Sequence, residues 1–218
     1  CRIATPWFHK VIMVSQEMVD RLGFDGATVI PCGVNLERFA PMPRDEARRR
    51  TGLSLDKKLV LWAGEHFRPE KRYEIVEAAL GWLSAKDPSV ELVLLSGRPH
   101  ADVPAYMNAA DVLLLTSEAE GSPMVVKEAM ACNLPIVSTA VGDVADVIGG
   151  TEGCYITSQQ PVEVVDKLRL ALAFGKRTNG REAVRHMELD AISRRIISVY
   201  EEAIAGRSHS PNAQGVEA

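Results

Sequence analysis

Apolar runs of strand length alternate with stretches of helical period along most of the chain. The runs "LVLWAG" (59–64), "ELVLLSG" (91–97), "DVLLLTS" (111–117), "PIVST" (135–139) and "CYITS" (154–158) are apolar at successive positions, not at every second one, as in strands buried on both faces. Helically spaced segments lie between and after them, at about 70–85, 103–110, 123–132 and 161–174. This alternation predicts an α/β fold, a doubly wound, Rossmann-like parallel sheet with helices on both faces.

The two ends of the chain read differently. Near the amino terminus, "VIMVS" (11–15) and "ATVIP" (27–31) flank a short helical stretch, "QEMVDRLGF". The Pro-containing linker "APMPRDE" then leads into a charged helix, "RDEARRRTGL". Residues 1–40 are therefore expected to be a remnant of a neighbouring domain with its linker, and 41–188 the main Rossmann-like domain. Residues 189–206 form a last helix, with apolar spacing through Ile192, Ile196, Ile197, Tyr200 and Ile204 that predicts packing. The polar residues 207–218 are expected to be disordered. The chain begins at Cys1 in mid-pattern, which is expected of a fragment of a longer gene product.

Composition narrows the function classes. With 218 residues, 46% of them hydrophobic, the chain can bury one sizeable core. Its 29 acidic and 25 basic residues give a net charge of -4 with no long basic run, which argues against nucleic-acid binding by phosphate neutralisation. Cys1, Cys32, Cys132 and Cys154 have neither CxxC nor Cys/His ligand spacing, so reduced thiols in a cytoplasmic protein are expected and no metal site is. No apolar run approaches membrane-spanning length; peripheral contact with the inner face of the cell membrane stays open.

In an open α/β sheet, ligands bind beyond the carboxyl ends of the strands. The sequences at those ends are "EHFRPEKR", "RPHADVP", "EAEGSP" and "AVGD". Two are rich in Arg, Lys or His and two carry Gly, as around an anionic, hydroxyl-rich ligand. Within "SEAEGSPMVVKEAM", Glu120 and Glu128 on one helix would stand about 12 Å apart along its axis, too far for a paired-carboxylate site. Pro123 suits a first helical turn and Ser122 the cap before it, so the helix is expected to start at 123. Glu120 then lies in the loop and Glu128 in the second turn. The N–H groups of 122–125 face the ligand, so one end of the site suits sugar hydroxyls and the other a phosphate.

The stretch "EGSPMVVKEAMACNLPIVST", following "ADVLLLTSEA", closely resembles the E-x7-E region of the retaining family-4, or group 1, glycosyltransferases of the GT-B fold. "VIMVSQEMVDRL", "TVIPCGVNLERFAP", "RRRTGL", "RPEKRYE" and "VGDVADVI" follow that family's order, so the resemblance covers about residues 10–205. It implies that Glu128 binds the ribose hydroxyls of a nucleotide-diphosphate sugar. It implies also that Glu120 contacts the transferred sugar together with the backbone of Gly121, Ser122, Pro123 and Met124. Lys71 and Arg68 are the cations implied to neutralise the departing diphosphate, a role in which preorganised charge stabilises the transition state. The resemblance implies no metal or other cofactor in this role. The acceptor would be a carbohydrate or a lipid-linked molecule, as in polysaccharide biosynthesis, and an amino-terminal GT-B domain would be the partner toward which the last helix crosses.

Two departures from the family pattern stand out. The family places Gly-Arg after the strand with Lys five beyond the Arg; here Glu65 follows Gly64 and Arg68 lies three before Lys71, which makes Arg68 the weaker match. An extra helix and strand common after "LVLLSG" are nearly absent, which removes a stretch that often contacts the base.

Taken singly, the same residues have plainer readings. Glu128 would be a solvated helix residue, Glu118 a surface carboxylate, and Arg68, Glu70, Lys71 and Arg72 a charged helix start. His66 and His100 would be exposed loop histidines, and Met124 and Met130 core. A nucleotide-dependent oxidoreductase would share the sheet, but no G-x-G-x-x-G opens a helix after a strand. A non-catalytic nucleotide-sugar-binding or scaffold module of the same fold is the alternative; convergence of Glu120, Glu128 and Lys71 on one cleft distinguishes the enzyme.

Overall fold

The structure, a computed structural model, describes residues 9–207. Cys1 and residues 208–218 of the expected disordered tail lie outside them, whereas Arg207, counted with that tail, ends the last helix. The described chain opens with a parallel pair, β1 (Ile12–Met13) and β2 (Thr28–Val29), joined through α1 (Gln16–Leu22). The Ser15 hydroxyl caps α1 by accepting the Met18 N–H at 3.3 Å, and Gly23 ends the helix at φ +67°, a left-handed conformation that glycine adopts without steric cost.

After α2 (Arg44–Thr51) comes the main sheet of β3 (Lys58–Trp62), β4 (Val90–Leu94), β5 (Val112–Leu115), β6 (Ile136–Thr139) and β7 (Cys154–Thr157), in the order β4-β3-β5-β6-β7 with every pair parallel. Alternation along the strands divides the core in two. Val60, Trp62, Val112, Leu114 and Val137 face α3 (Tyr73–Lys86) and α7 (Pro161–Phe174), packing with Ile75, Val76, Leu80, Leu83, Val164 and Leu168. Leu59, Leu61, Leu113, Leu115 and Ile136 face the opposite layer, α4 (Val103–Ala109), α5 (Met124–Ala131) and α6 (Val144–Ile148), packing with Met107, Val126, Met130 and Val144. Both faces of each central strand are therefore apolar because both are covered.

The expected strands and long helices are all present, with two local differences, and the shortened connection after β4 is as expected. The helix expected over 70–85 divides into a 3-10 turn, Pro69–Lys71, and α3; Arg72 between them sits at φ +54° and breaks the helical path. The elements α6 and α8 (Gly180–Ala183) were not foreseen, being too short to show a period. After β4 only a 3-10 turn (His100–Asp102) precedes α4, so β4 is the edge of the described sheet.

The last helix, α9 (Leu189–Arg207), lies on the small sheet. Ile192 and Val199 are buried against Ile30, with Ile12 and Ile196 beside them. Arg195 donates to the Val29 carbonyl at 2.9 Å and Lys10 pairs with Glu202 at 2.9 Å. The expected apolar stripe packs only in part: Ile197, Tyr200 and Ile204 are exposed, because the seam on the small sheet takes the neighbouring side of the helix. Segments 33–39 and 178–189 join the two sheets. The Val34 N–H donates to the Met187 carbonyl and the Leu189 N–H to that of Val34, while Arg181 donates to the carbonyls of Leu36, Phe39 and Ala131.

Candidate functional site

The strand order itself locates a crevice. β3 and β4 are neighbours, and the helices that follow them, α3 and α4, lie on opposite faces, so the loops leaving β3 and β4 part beyond the carboxyl ends of these strands. An open cleft of about 400 Å³ lies there, lined by Gly64, Glu65, Arg68, Lys71, Arg98 and His100 among others. Gly64 is confined by packing: a Cβ on it would lie 2.5 Å from the buried Trp62 ring.

The loops after β3 and β5 are stitched together. Thr116 Oγ1 donates to the Lys71 carbonyl at 2.8 Å, and the Glu118 N–H to the Glu70 carbonyl at 2.8 Å. This fixes the 3-10 turn that carries Lys71, and Lys71 Nζ meets Glu120 Oε1 at 2.6 Å, with both side chains about one-fifth exposed. Ser117 Oγ donates to the same oxygen at 2.8 Å. A cation on the wall of the cleft and a carboxylate 49 residues away in sequence thus meet, while Glu120 and Glu128 are not themselves among the residues that line that cleft. Arg68 lines the cleft but is half-exposed and held by Glu65 at 3.0 Å and Glu70 at 3.8 Å, away from the Lys71–Glu120 pair. Arg72 turns toward Glu74, Glu118 and Gln159. Glu118 is at the surface, and His66 and His100 are exposed.

Glu128 behaves unlike a solvated helix residue. It is 7% exposed, and its carboxylate accepts no hydrogen bond from any described residue. Burial pushes its pKa up to about 7, opposed by the charge of Arg38. Arg38 in turn donates to the His100 carbonyl on the cleft rim. A carboxylate on a mostly buried side chain, whose oxygens reach the surface and have no donor among the described residues, suits a ligand that brings hydroxyl donors.

The turn between these groups differs from expectation in two respects. Pro123 occupies the cap position of α5, and Ser122 does not cap it. Its hydroxyl accepts the Cys32 N–H at 3.0 Å and Lys127 Nζ at 2.7 Å, and donates to Asp143 at 2.6 Å, so it has no capacity left for the helix. Met124 is 49% exposed where core was expected, whereas Met130 is fully buried. The reason is position: Met124 opens α5 at the mouth of the crevice, ahead of the covered turns. Its N–H and that of Val125 have no partner within the helix and remain available beside Gly121. Gly121 itself fits tightly, a Cβ there lying 3.0 Å from Val14 Cγ2.

Lys127, Asp143, Arg38 and Ser117 escaped the sequence reading. A lysine inside "MVVKEAMA" and the Asp of "AVGD" were visible signals, but their pairing across 16 residues needs the fold. Two of the free cysteines are held as thiols by burial, which pushes Cys132 up to about 12 and Cys154 up to about 11. Among the described residues no group of three or more His, Cys, Asp and Glu side chains could hold a metal ion, and no helix is long and apolar enough to cross a membrane.

Comparison with known proteins adds an independent line. The family model described as "Glycosyl transferases group 1" matches residues 56–173. The putative teichuronic acid biosynthesis glycosyltransferase TuaC of Bacillus subtilis is 33% identical over 157 residues, covering 65% of this chain and 39% of the relative. The sucrose-phosphate synthase of Thermosynechococcus elongatus superposes with a TM-score of 0.74 at 24% identity, over 90% of this chain and 58% of its own. HepE of Anabaena, solved in complex with UDP, does so with a TM-score of 0.69 at 18% identity, over 89% of this chain and 64% of its own. At those identities the two structures speak for the fold. The chain spans about two-fifths of the length of the curated relatives it matches.

Proposed function

The chain belongs to the group 1 glycosyl transferases, and from that premise we propose that it is the donor-binding half of a retaining enzyme that moves a hexose from a nucleotide-diphosphate sugar to a carbohydrate or lipid-linked acceptor. The observation that carries this reading is the meeting of Lys71, which lines the cleft beyond β3 and β4, with Glu120 at 2.6 Å; Glu128, 7% exposed on α5, is the second candidate acceptor. HepE, a neighbour of the same fold, was solved with UDP, and TuaC is named for teichuronic acid biosynthesis; both fit a nucleotide-sugar donor and a polysaccharide product.

In this reading Glu128 accepts hydrogen bonds from the ribose hydroxyls and therefore acts as a carboxylate when nucleotide is bound. Lys71 gives up part of its pairing with Glu120 to the diphosphate. Negative charge grows on that diphosphate as the sugar bond breaks, and a cation already held in a partly buried site stabilises it without reorganising. Glu120 and the free N–H groups of the 121–125 turn hold the transferred sugar. Arg68, engaged by Glu65 and Glu70, contributes at most long-range charge. No metal is required, because the cationic work falls to Lys71. An amino-terminal GT-B domain would bring the acceptor and close the other wall of the cleft; contact of the whole protein with the inner face of the cell membrane belongs to the same reading.

Calorimetric titration with UDP, GDP and ADP tests it. One nucleotide binds the wild-type chain, and Glu128→Ala and Lys71→Ala each weaken that binding at least tenfold. A folded wild-type chain that binds none of the three would leave the non-catalytic scaffold as the better reading.

A further inference from the structure

The proposed chemistry leaves one buried charged cluster unused. Lys127 has no exposed surface, and its ammonium donates to Asp143 Oδ1 at 2.7 Å, to Asp143 Oδ2 at 2.7 Å and to Ser122 Oγ at 2.7 Å. All three of its protons are used. The Ser122 hydroxyl is equally committed, donating to Asp143 and accepting from Lys127 and from the Cys32 N–H. Desolvating two charges offsets most of the attraction between them, so a buried pair of this kind contributes less to stability than to holding its neighbours in one geometry.

What it holds is the turn after Glu120. Ser122 stands in the middle of that turn, Lys127 on α5 behind it, Asp143 in the loop after β6, and Cys32 at the end of the small-sheet unit. The loops are also in direct contact. A Cβ at Gly142, which sits at φ +58°, would lie 2.3 Å from the Gly121 carbonyl oxygen, and the Gly142 N–H donates to Glu17 of α1 at 2.5 Å. The turn is therefore clamped from three sides by groups that do not themselves face the crevice. Lys71, by contrast, is placed by the stitching of 70–72 to 116–118, and Glu128, although it follows Lys127 on α5, makes no side-chain hydrogen bond to the cluster and points its carboxylate to the Arg38 side of the helix.

We propose that Lys127, Asp143 and Ser122 are positioning residues that set the Gly121–Met124 turn at the height needed to grip the transferred sugar, separately from the grip on the nucleotide. This rests on the donor-binding reading above. It predicts that loosening the cluster removes the extra affinity contributed by the sugar and leaves the affinity for the nucleoside diphosphate in place.

The test is calorimetric titration of the chain with UDP, GDP and ADP and with UDP-glucose, GDP-mannose and ADP-glucose, for wild type, Lys127→Met/Asp143→Leu and Ser122→Ala. The double variant replaces the ion pair by apolar groups of similar size, an exchange that folded proteins commonly accept, and Ser122→Ala leaves the pair intact while releasing the turn. Melting temperatures are recorded alongside. The expected result is nucleotide affinity within threefold of wild type in both variants, with the gain from the sugar reduced at least fivefold in the double variant and in the same direction in Ser122→Ala. Variants that keep the wild-type gain, or lose nucleotide and nucleotide-sugar in equal proportion as melting falls, overturn the proposal and make the cluster purely structural. A wild-type chain that binds nucleotide with no gain from any of the sugars removes this proposal alone. One that binds none of the six probes removes the donor-binding reading and this proposal with it.

Discussion

Glu128 shows how one residue's placement changes its chemistry. Its folded pKa of about 7 lies above the ordinary carboxylate value of 4.5 because burial penalises the charged form. The stability contributed by this group is therefore fully present below about 4.5 and is lost as the pH rises through about 7, a loss of up to about 3 kcal/mol by the pKa displacement. Glu128→Gln is expected to stabilise the chain at pH 8 and to have little effect at pH 5, which urea denaturation at the two pH values measures. Ligand binding runs the other way. Ribose hydroxyls donate to the ionised carboxylate, so nucleotide affinity is expected to weaken about tenfold from pH 8 to pH 6, and calorimetry on Glu128→Gln should show that dependence gone. Arg68→Ala provides the contrast. Its guanidinium is half-exposed and already paired, and such surface pairs contribute little, so nucleotide affinity within threefold of wild type is expected. The two glutamates stood out in the sequence because their spacing matches a family, and Lys71 because it lies in a basic loop after a strand; the paired state of Arg68 did not, since it depends on how the loop after β3 folds back on Glu65.

At the scale of elements, loops and helix ends carry the site, and both depend on contacts remote in sequence. Gly142 is the sharpest case. Its left-handed φ and the 2.3 Å approach of the Gly121 carbonyl leave no room for a side chain. Gly142→Ala is expected to destabilise by about 2 kcal/mol or more and to weaken nucleotide-sugar binding, measured by thermal melting and calorimetry together; an unchanged melting temperature would refute the packing argument. Arg181 serves a different element. It donates to three carbonyls, of Leu36, Phe39 and Ala131, that join the 33–39 segment to the end of α5. Arg181→Ala leaves these acceptors unpaired and is expected to cost about 2–4 kcal/mol, read as a lower urea midpoint with an unchanged m-value. Strands and long helices were visible as runs and periods, whereas α6, α8 and the break at Arg72 were not. A four- or five-residue helix has too few positions to show a period, and a single left-handed residue leaves no apolar pattern.

At the scale of the whole molecule, the described chain is a five-stranded domain with a small parallel pair and a last helix packed on that pair, and its cleft is open. In the reading proposed here the chain alone binds donor but turns it over little or not at all. Incubation with nucleotide-sugar and candidate acceptors, with release of nucleotide followed against a full-length relative such as TuaC, checks this; transfer by the chain alone at a comparable rate would overturn it. The sequence by itself determined the fold class, because a strand covered on both faces must be apolar at successive positions and a covering helix apolar at every third or fourth. It also pointed to the candidate residues of the proposed site, Glu120 and Lys71 in loops after strand ends and Glu128 on the helix that follows. Only the tertiary structure decided which groups meet there. The Lys71–Glu120 contact, the Lys127–Asp143 pair and the loss of Ser122 from its capping role each depend on distances between residues far apart in the chain, and no local pattern fixes those until the sheet order brings the loops together.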